Sequence, residues 1–381
     1  MSRFVIPQVT PGVHTEHEFP GAGIIIENLP KVSLHDHLDG GVRASTIIDI
    51  AQRDGITLPV DNAVGLAEWF RAQADSGSLV DYLETFSVTL SVMQTADNLE
   101  RIAREFVLDL IADGIIYAEI RWAPELHIEQ GLTLDQAVEA VQRGIDAGVA
   151  NGAQSGKPIR VGQLICAMRQ ADRADEIAEL AIRHRHKGVV GFDIAGPEAG
   201  FPASRLSSAF AKLDAAWMPR TVHAGEADGI ESIRGALLDG SALRLGHGVR
   251  ITDDINVTPD GGVFRVALGD TAEWVRDRGI ALEVCPTSNL QTNAFERFGA
   301  EMADHPFDLL YQLGFRVTLN TDNRLMSGTT LSREIAVMSE IFGYTLDDIL
   351  EMQINAAESA FLSPEDRADL VTRITAGFDE I

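Results

Sequence analysis

The chain has 381 residues, of which 45% are hydrophobic and 23% charged, and this composition is typical of a globular protein with a large core. Its 57 acidic and 31 basic residues give a formal net charge of −26. This excess of acidic residues argues against nucleic acid or an anionic membrane as a partner, since both require a basic surface.

The N-terminal segment and the cysteines indicate where the protein works. Residues 1–27 lack both the apolar segment and the basic start of a signal peptide, and we expect an irregular arm there. No stretch of the sequence approaches the roughly 18 apolar residues of a membrane span. Cys166 and Cys285 lie in apolar runs, which predicts buried free thiols. Together these features favour a reducing, cytoplasmic location.

Eight short apolar segments recur along the chain, and helical patterns separate them. They end near His35, Trp122, Met168, Gly196, Gly225, Gly248, Pro286 and Asp322. Most do not alternate between apolar and polar residues, which indicates strands buried on both faces of a parallel sheet. We therefore expect one domain over residues 1–381, folded as an α/β (β/α)8 TIM-type barrel. A doubly wound open sheet is the alternative that counting strands leaves open.

Several of the expected helices carry capping signals. Thr133 and Gln136 have the spacing of a capping box, and Ser363 followed by Pro364 predicts a helix start. Asp97 and Glu100 form a cap-like pair before another helix. Residues 56–95, between the first and second strands, have a helical pattern and are expected to form a lid over the barrel.

The strand ends concentrate side chains that bind metals. His35 and His37 end the first strand, His223 ends the fifth, and Asp322 ends the eighth. In a barrel, the carboxyl ends of all strands meet at one rim, and residues two apart in an extended chain point to the same side. Three imidazoles and one carboxylate suit zinc or a similar transition ion. The sequence therefore predicts a catalytic metal site at this rim.

Two further candidates lie at the same rim, and one histidine pair does not. Glu226 comes three residues after His223, where we expect the start of the next helix, and His247 ends the sixth strand between two glycines. His184 and His186 precede the fourth strand instead. We therefore expect that pair at the opposite face, on a solvated helix terminus without a catalytic role.

Six motifs together resemble those of a known family. They are "SLHDHLDGG", "GFDIAGPE", "TVHAGE", "LGHG", "CPTSN" and "LNTDN", which lie in order within about residues 28–362. This set resembles the adenosine deaminase family of metal-dependent amidohydrolases. The resemblance implies a barrel with one zinc ion per chain and a small purine nucleoside as substrate. The implied reaction is hydrolytic deamination of adenosine, with 2′-deoxyadenosine a further candidate, to inosine and ammonia in purine salvage.

The resemblance also assigns roles residue by residue. Glu226 resembles the proton donor to purine N1, and His247 resembles the histidine that orients the attacking water. Asp39 matches the residue that binds the ribose 5′-hydroxyl, and Gly196 matches the glycine whose N–H meets N3. The residues that match the four zinc ligands are His35, His37, His223 and Asp322.

One position departs from the family pattern. Asn323 stands where many members have a second aspartate that hydrogen-bonds N7. Because N7 is an acceptor, an amide NH2 can donate to it without first taking up a proton. We therefore expect Asn323 to keep the purine contact. Tyr82, Leu83 and Phe86 fall where the family places apolar residues over the ribose, although ordinary helix packing accounts for their spacing equally well.

Three alternatives remain open at this point. The first is an aminohydrolase for another 6-aminopurine, such as a 5′-modified nucleoside or, less readily, adenine, while Asp39 would repel the phosphate of AMP. The second is a binuclear amidohydrolase, which usually needs a lysine on the fourth strand, and "VVGFDIAG" has none. The third is an inactive binding protein on the same scaffold. The sequence does not define the oligomeric state.

Overall fold

The computed structural model describes residues 6–261 and 263–380, and its centre is a set of parallel strands. Each central strand is apolar and rich in branched residues, as expected of strands buried on both faces. In chain order the strands are β1 (Lys31–His37), β2 (Ile115–Trp122), β3 (Arg160–Met168), β4 (Val189–Ala195), β5 (Thr221–Ala224), β6 (Arg244–His247), β7 (Ile255–Asp260), β8 (Val263–Leu268), β9 (Ala281–Val284) and β10 (Val317–Leu319).

Eight of these strands close into a barrel, which confirms the expected (β/α)8 fold. One parallel sheet has the order β1-β2-β3-β4, and a second has the order β5-β6-β9-β10. Single bridges join the two sheets, from Phe192 to Arg220 between β4 and β5, and from Asp36 to Asp322 between β1 and the end of β10. We call these two junctions the seams of the barrel.

Helices surround the barrel, and the hydrophobic core lies between them and the strands. They are α1 (Ala44–Asp54), α2 (Ala63–Ala74), α3 (Leu79–Glu84), α4 (Phe86–Ser91), α5 (Ala96–Ala112), α6 (Leu134–Gln154), α7 (Ala174–His184), α8 (Ser207–Ala215), α9 (Ile230–Leu238), α10 (Asp270–Asp277), α11 (Pro286–Gln291), α12 (Phe307–Gln312), α13 (Arg324–Ser327), α14 (Leu331–Phe342), α15 (Leu346–Ser359) and α16 (Pro364–Asp379). Of these, α2, α3 and α4 fall in the segment 56–95. No helix of the described residues is long and apolar enough to cross a membrane.

The capping signals were mostly correct. Thr133 and Gln136 form the expected capping box of α6, and the Ser363 side chain caps α16 ahead of Pro364. The predicted cap of α5 was wrong. Thr95 accepts the hydrogen bond from the Asn98 N–H, and Asp97 lies inside the first turn. A threonine two residues earlier in the chain therefore competes successfully with the acidic pair.

The structure contains one antiparallel element that the strand pattern did not predict. Strands β7 and β8 pair as an antiparallel hairpin between β6 and α10. Its alternating residues and glycine turn are ordinary hairpin signals. The hairpin is largely exposed and does not contribute to the barrel wall.

The His184 prediction needs one correction. His184 ends α7, as expected of a residue outside the catalytic rim, but it is buried rather than solvated. Its Nε2 lies 2.7 Å from the Asp135 carboxylate, which explains how an imidazole is accommodated there.

Candidate active site

The four residues expected to bind a metal meet at the carboxyl-terminal rim of the barrel. The Asp322 Oδ1 atom lies 3.3 Å from Nε2 of His35 and 3.3 Å from Nε2 of His37. Nε2 of His37 is also 3.3 Å from Nε2 of His223. All four side chains are thus close enough to share one ion, although their residues span almost 290 positions of the chain.

His247 also lies close to the same point. One ligand atom from each of His35, His223, His247 and Asp322 falls within 4.8 Å of the others, so distance alone would admit His247 in place of His37. However, Asn289 Nδ2 lies 3.0 Å from His247 Nδ1, and Glu226 Oε2 lies 3.4 Å from its Nε2. Both ring nitrogens of His247 therefore have polar neighbours other than the Asp322 carboxylate.

Two buried carboxylates orient His35 and His223. Glu283 Oε2 lies 3.2 Å from Nδ1 of His35, and Asp193 Oδ2 lies 2.8 Å from Nδ1 of His223. A proton on each Nδ1 leaves the Nε2 lone pair directed at the shared point, which is how histidines are presented to metals. Burial lowers the pKa of both His37 and His223, so these rings are neutral. Neutral imidazoles facing one another beside a carboxylate fit a bound cation.

These carboxylates belong to a charged layer inside the barrel that our sequence analysis missed. Arg121 donates to Asp193 and Glu283, each at 2.7 Å, and Arg244 donates to Glu283 at 2.6 Å and to Glu119 at 2.5 Å. All five side chains are buried. The only signal in the sequence was a charged residue within an otherwise apolar strand, for example in "AEIRW" and "ALEVC".

Glu226 lies beside the metal residues, but not where we expected it in the chain. Helix α9 begins at Ile230, so Glu226 belongs to the preceding loop and does not start the helix. Its Oε1 atom is buried and has no hydrogen-bond partner among the described residues. Burial first, and then the nearby carboxylates of Asp322 and Glu198, hold the pKa of Glu226 well above its usual range. The shift favours the neutral, protonated form of this side chain.

Asp36, within β1, and Asp39, two residues after its end, have different surroundings. Asp36 Oδ2 lies 2.8 Å from Nε of Arg324, and both side chains are buried. Asp39 is buried and contributes to the cavity wall, and no described residue bonds its Oδ1. Burial raises the pKa of Asp39 to about 7. A buried carboxyl oxygen without a partner is costly unless a ligand group completes it.

The backbone at this rim is unusually strained. His247 and Asp322 adopt left-handed conformations with φ of 62° and 59°, which side chains other than glycine rarely tolerate. Gly196 has φ of 96°, and a Cβ there would lie 2.5 Å from Gln170 Oε1. Strain of this kind concentrates at functional sites, where the surrounding structure enforces it.

A cavity of about 370 Å3 opens in front of these groups. His37, Asp39, Glu226 and Asn323 line its floor together with Gly196, and side chains of α3 and α4 line its mouth. Tyr82, Leu83 and Phe86 are all part of this wall, so their positions agree with residues that close over a ligand. Tyr82 is buried, and its hydroxyl lies within hydrogen-bond distance of Ser327 Oγ, at 3.3 Å.

The sequence matches one family model over nearly its whole length. Residues 30–377 match the model described as "Adenosine deaminase". The chain is 53% identical over 350 residues to "Adenosine deaminase" of Mycobacterium marinum, covering 92% of this chain and 95% of that protein. It is 52% identical over 358 residues to "Adenosine deaminase 1" of Streptomyces coelicolor, covering 93% and 89%.

Solved structures resemble this one across the same range. An amidohydrolase from Burkholderia ambifaria with bound Zn has a TM-score of 0.80 at 23% identity, covering 98% of each chain. An adenine deaminase from Arthrobacter aurescens has a TM-score of 0.78 at 23% identity, covering 91% of this chain and 98% of that chain. The complex of ADAL with IMP has a TM-score of 0.77 at 25% identity, covering 93% and 99%. The first two likenesses establish a shared fold.

Proposed function

The chain belongs to the adenosine deaminase family, and we propose that it catalyses the metal-dependent hydrolytic deamination of adenosine to inosine and ammonia. The observation that carries this proposal is the convergence of His35, His37 and Asp322, with Asp322 Oδ1 3.3 Å from Nε2 of each histidine, beside a cavity lined by the buried Glu226. We further propose 2′-deoxyadenosine as a substrate and purine salvage as the setting. Two free buried cysteines support a cytoplasmic location.

We propose one zinc ion per chain, held by His35, His37, His223 and Asp322. The support is the donor set itself, because three nitrogens and one oxygen are the ligands that zinc accepts in open catalytic sites. A bound zinc ion would supply a hydroxide nucleophile near neutral pH by lowering the pKa of water to about 7. The described part of β4 carries no lysine that could bridge a second ion, which favours a single metal.

The acid Glu226 answers the main chemical difficulty of the reaction. Attack on C6 of the purine pushes electron density onto N1 and disrupts the aromatic ring. A neutral carboxylic acid near N1 can donate its proton there, so negative charge does not accumulate on the base. His247, whose pKa burial holds well below its usual range, is a neutral imidazole able to accept or direct the proton of the attacking water.

The remaining cavity groups are proposed to bind the nucleoside. Asp39 would accept the ribose 5′-hydroxyl, the Gly196 N–H would donate to N3, and the Asn323 amide would donate to N7. A Cβ at Gly40 would overlap Asn323 Oδ1, so the tight packing there fixes the amide group. Tyr82, Leu83 and Phe86 would cover the sugar once it is bound.

The charges of the cavity favour a nucleoside over a nucleotide. Asp39 and Glu84 supply carboxylates to its wall, and no lysine or arginine of the described residues lines it. A 5′-phosphate placed near Asp39 would therefore meet like charge without a compensating cation. Although ADAL, a structural neighbour, binds IMP, this chain is expected to discriminate against AMP. Free adenine would lose the contacts to the ribose.

The test is a spectrophotometric assay of purified, zinc-loaded protein. Conversion of adenosine to inosine changes the ultraviolet absorbance, and a chelator should abolish that change until zinc is restored. 2′-Deoxyadenosine, adenine, AMP and a 5′-modified adenosine are compared in parallel by ammonia release. Activity on none of these compounds would support the inactive binding protein instead. Metal analysis that finds two ions per chain would contradict the mononuclear site.

A further inference from the structure

Glu198 is a buried carboxylate that the proposed chemistry does not use. It follows β4 and is 3% exposed. Its Oε1 atom accepts hydrogen bonds from one backbone N–H and one hydroxyl, and its Oε2 atom accepts from three consecutive backbone N–H groups. The five donors and their distances are Gly225 N at 2.6 Å, Ser232 Oγ at 2.5 Å, Glu226 N at 3.0 Å, Ala227 N at 2.7 Å and Asp228 N at 3.0 Å.

Neighbouring groups hold the carbonyls of the same loop. Arg169, which is also buried, donates to the carbonyl of His223. The Gly248 N–H donates to the Ala224 carbonyl at 3.0 Å, and the Arg250 N–H donates to the Gly225 carbonyl at 2.9 Å. Residues 223–228 are thus fixed from both sides, with Glu198 accepting from their N–H groups and the other residues donating to their C=O groups.

Among the described residues, Glu198 is the acceptor for the N–H groups of residues 225–228. This loop is neither helix nor strand, and α9 begins only at Ile230. Without Glu198, four successive N–H groups in a largely buried segment would lack acceptors, which costs about 1–3 kcal/mol for each group. The loop would therefore rearrange, and Glu226 lies in the middle of it.

We propose that Glu198 is a positioning residue for Glu226, holding the loop 225–228 so that the Glu226 carboxyl faces purine N1. This inference rests on the proposed function, because it assumes that Glu226 donates a proton to N1. Glu198 does not line the cavity, so its hydrogen bonds reach the site through the loop. Its negative charge also contributes to the raised pKa of Glu226, after burial and Asp322.

The substitution Glu198→Gln tests the proposal with little change of shape. Its amide oxygen can replace one carboxylate oxygen, but its NH2 group must then face other donors. If the oxygen keeps the three N–H groups of residues 226–228, the NH2 faces the Gly225 N–H and Ser232. The serine hydroxyl can turn to accept, but the Gly225 N–H cannot, so the loop must shift. Because displacements near 1 Å cost up to about 100-fold in rate, we expect kcat to fall about 10- to 100-fold with KM changed less than threefold.

A second readout separates positioning from a general loss of structure. Purine riboside and its 1-deaza counterpart, in which C–H replaces N1, are compared as inhibitors of the zinc-loaded enzyme. The ratio of their inhibition constants reports the contact between Glu226 and N1. We expect Glu198→Gln to shrink this ratio at least fivefold. An unchanged ratio and an unchanged kcat would overturn the proposal.

Asp254→Asn is the matched control. Asp254 Oδ2 also accepts two backbone N–H groups, from Thr271 at 2.9 Å and Ala272 at 3.0 Å, but at the start of α10 and outside the cavity wall. This variant should lose stability while keeping kcat and the inhibitor ratio within twofold of wild type. An equal loss of both in Asp254→Asn would show that the effect of Glu198→Gln is not specific to the loop.

A milder variant covers the case in which Glu198→Gln does not fold. Ser232→Ala removes one of the five donors and should lower kcat and the inhibitor ratio about two- to fivefold. No change in either quantity would then count against the proposal. Failure of the proposed function is distinguishable, because wild-type protein would itself release no ammonia from adenosine.

Discussion

Replacing Asp193 by asparagine should weaken zinc binding, although all four proposed zinc ligands remain. Asp193 Oδ2 lies 2.8 Å from His223 Nδ1 and accepts from Arg121 at 2.7 Å. Its Oδ1 accepts from the N–H groups of Ile194 at 2.7 Å and His223 at 3.2 Å. A carboxylate can serve all four donors, whereas a carboxamide has only one oxygen and adds two donors of its own.

The size of the effect follows from this count. Two buried donors lose their acceptor at about 1–3 kcal/mol each, so the free energy of unfolding of metal-free protein should fall by about 4 kcal/mol. If the amide NH2 faces His223 Nδ1, the ring proton moves to Nε2 and blocks the metal lone pair. Loss of such an orienting partner typically costs 10- to 100-fold in metal affinity, or about 1.4–2.7 kcal/mol.

Two measurements check this reasoning. Zinc affinity is obtained by competition with a chromophoric chelator, and stability by urea unfolding of the metal-free protein. Asp254→Asn serves as the control that loses backbone acceptors far from the histidines. If Asp193→Asn bound zinc within twofold of wild type, the role of Asp193 in orienting His223 would be refuted, whatever the change in stability.

Three other substitutions give separate tests. Glu226→Gln, which removes the acidic proton, should lower kcat about 10²- to 10⁴-fold at unchanged zinc content, and near-normal turnover would exclude Glu226 as the acid. Asn323→Asp should retain activity, but KM should rise with pH as the carboxyl loses the proton it would donate, so pH profiles matching wild type would contradict the proposed contact to N7. Burial lowers the pKa of His305 in the folded protein to about 3. In the unfolded chain its pKa is near 6.5, so the unfolded state binds an extra proton as the pH falls. His305 should therefore make the protein about 2 kcal/mol less stable at pH 5 than at pH 7.5. His305→Asn, whose Oδ1 can still accept from the Phe307 N–H, should reduce that pH dependence in urea unfolding, and an unaltered slope would contradict the assignment.

The sequence was most informative at the ends of the barrel strands, where the candidate site residues lie. The apolar segments predicted all eight barrel strands, and the polar residues that follow them marked His35, His223 and Asp322. No one of these residues indicated a site by itself, and it was their joint placement at several strand ends that did so. Glu226 was found too, but its loop was mistaken for a helix, since acidic residues also favour the first turn of a helix.

The charged layer and Glu198 could not be found in this way. Arg121 is a single charged residue in the otherwise apolar strand β2, and the sequence around it does not show its partners. They are Asp193 and Glu283, which lie 72 and 162 positions further along the chain. Glu198 depends on backbone groups, whose directions no residue type reveals. Local patterns therefore predicted what each segment forms, and long-range partners decided what each buried charge does.

The two seams of the barrel give the metal centre a mechanical consequence. His35 and His37 come from one four-stranded sheet, whereas His223 and Asp322 come from the other. At one seam the backbones of His37 and Asp322 are directly joined, and at the other Asp193 reaches across to His223. An ion held by all four side chains would thus link the two sheets. Binding of the metal that catalysis requires would therefore also stabilise the closed barrel.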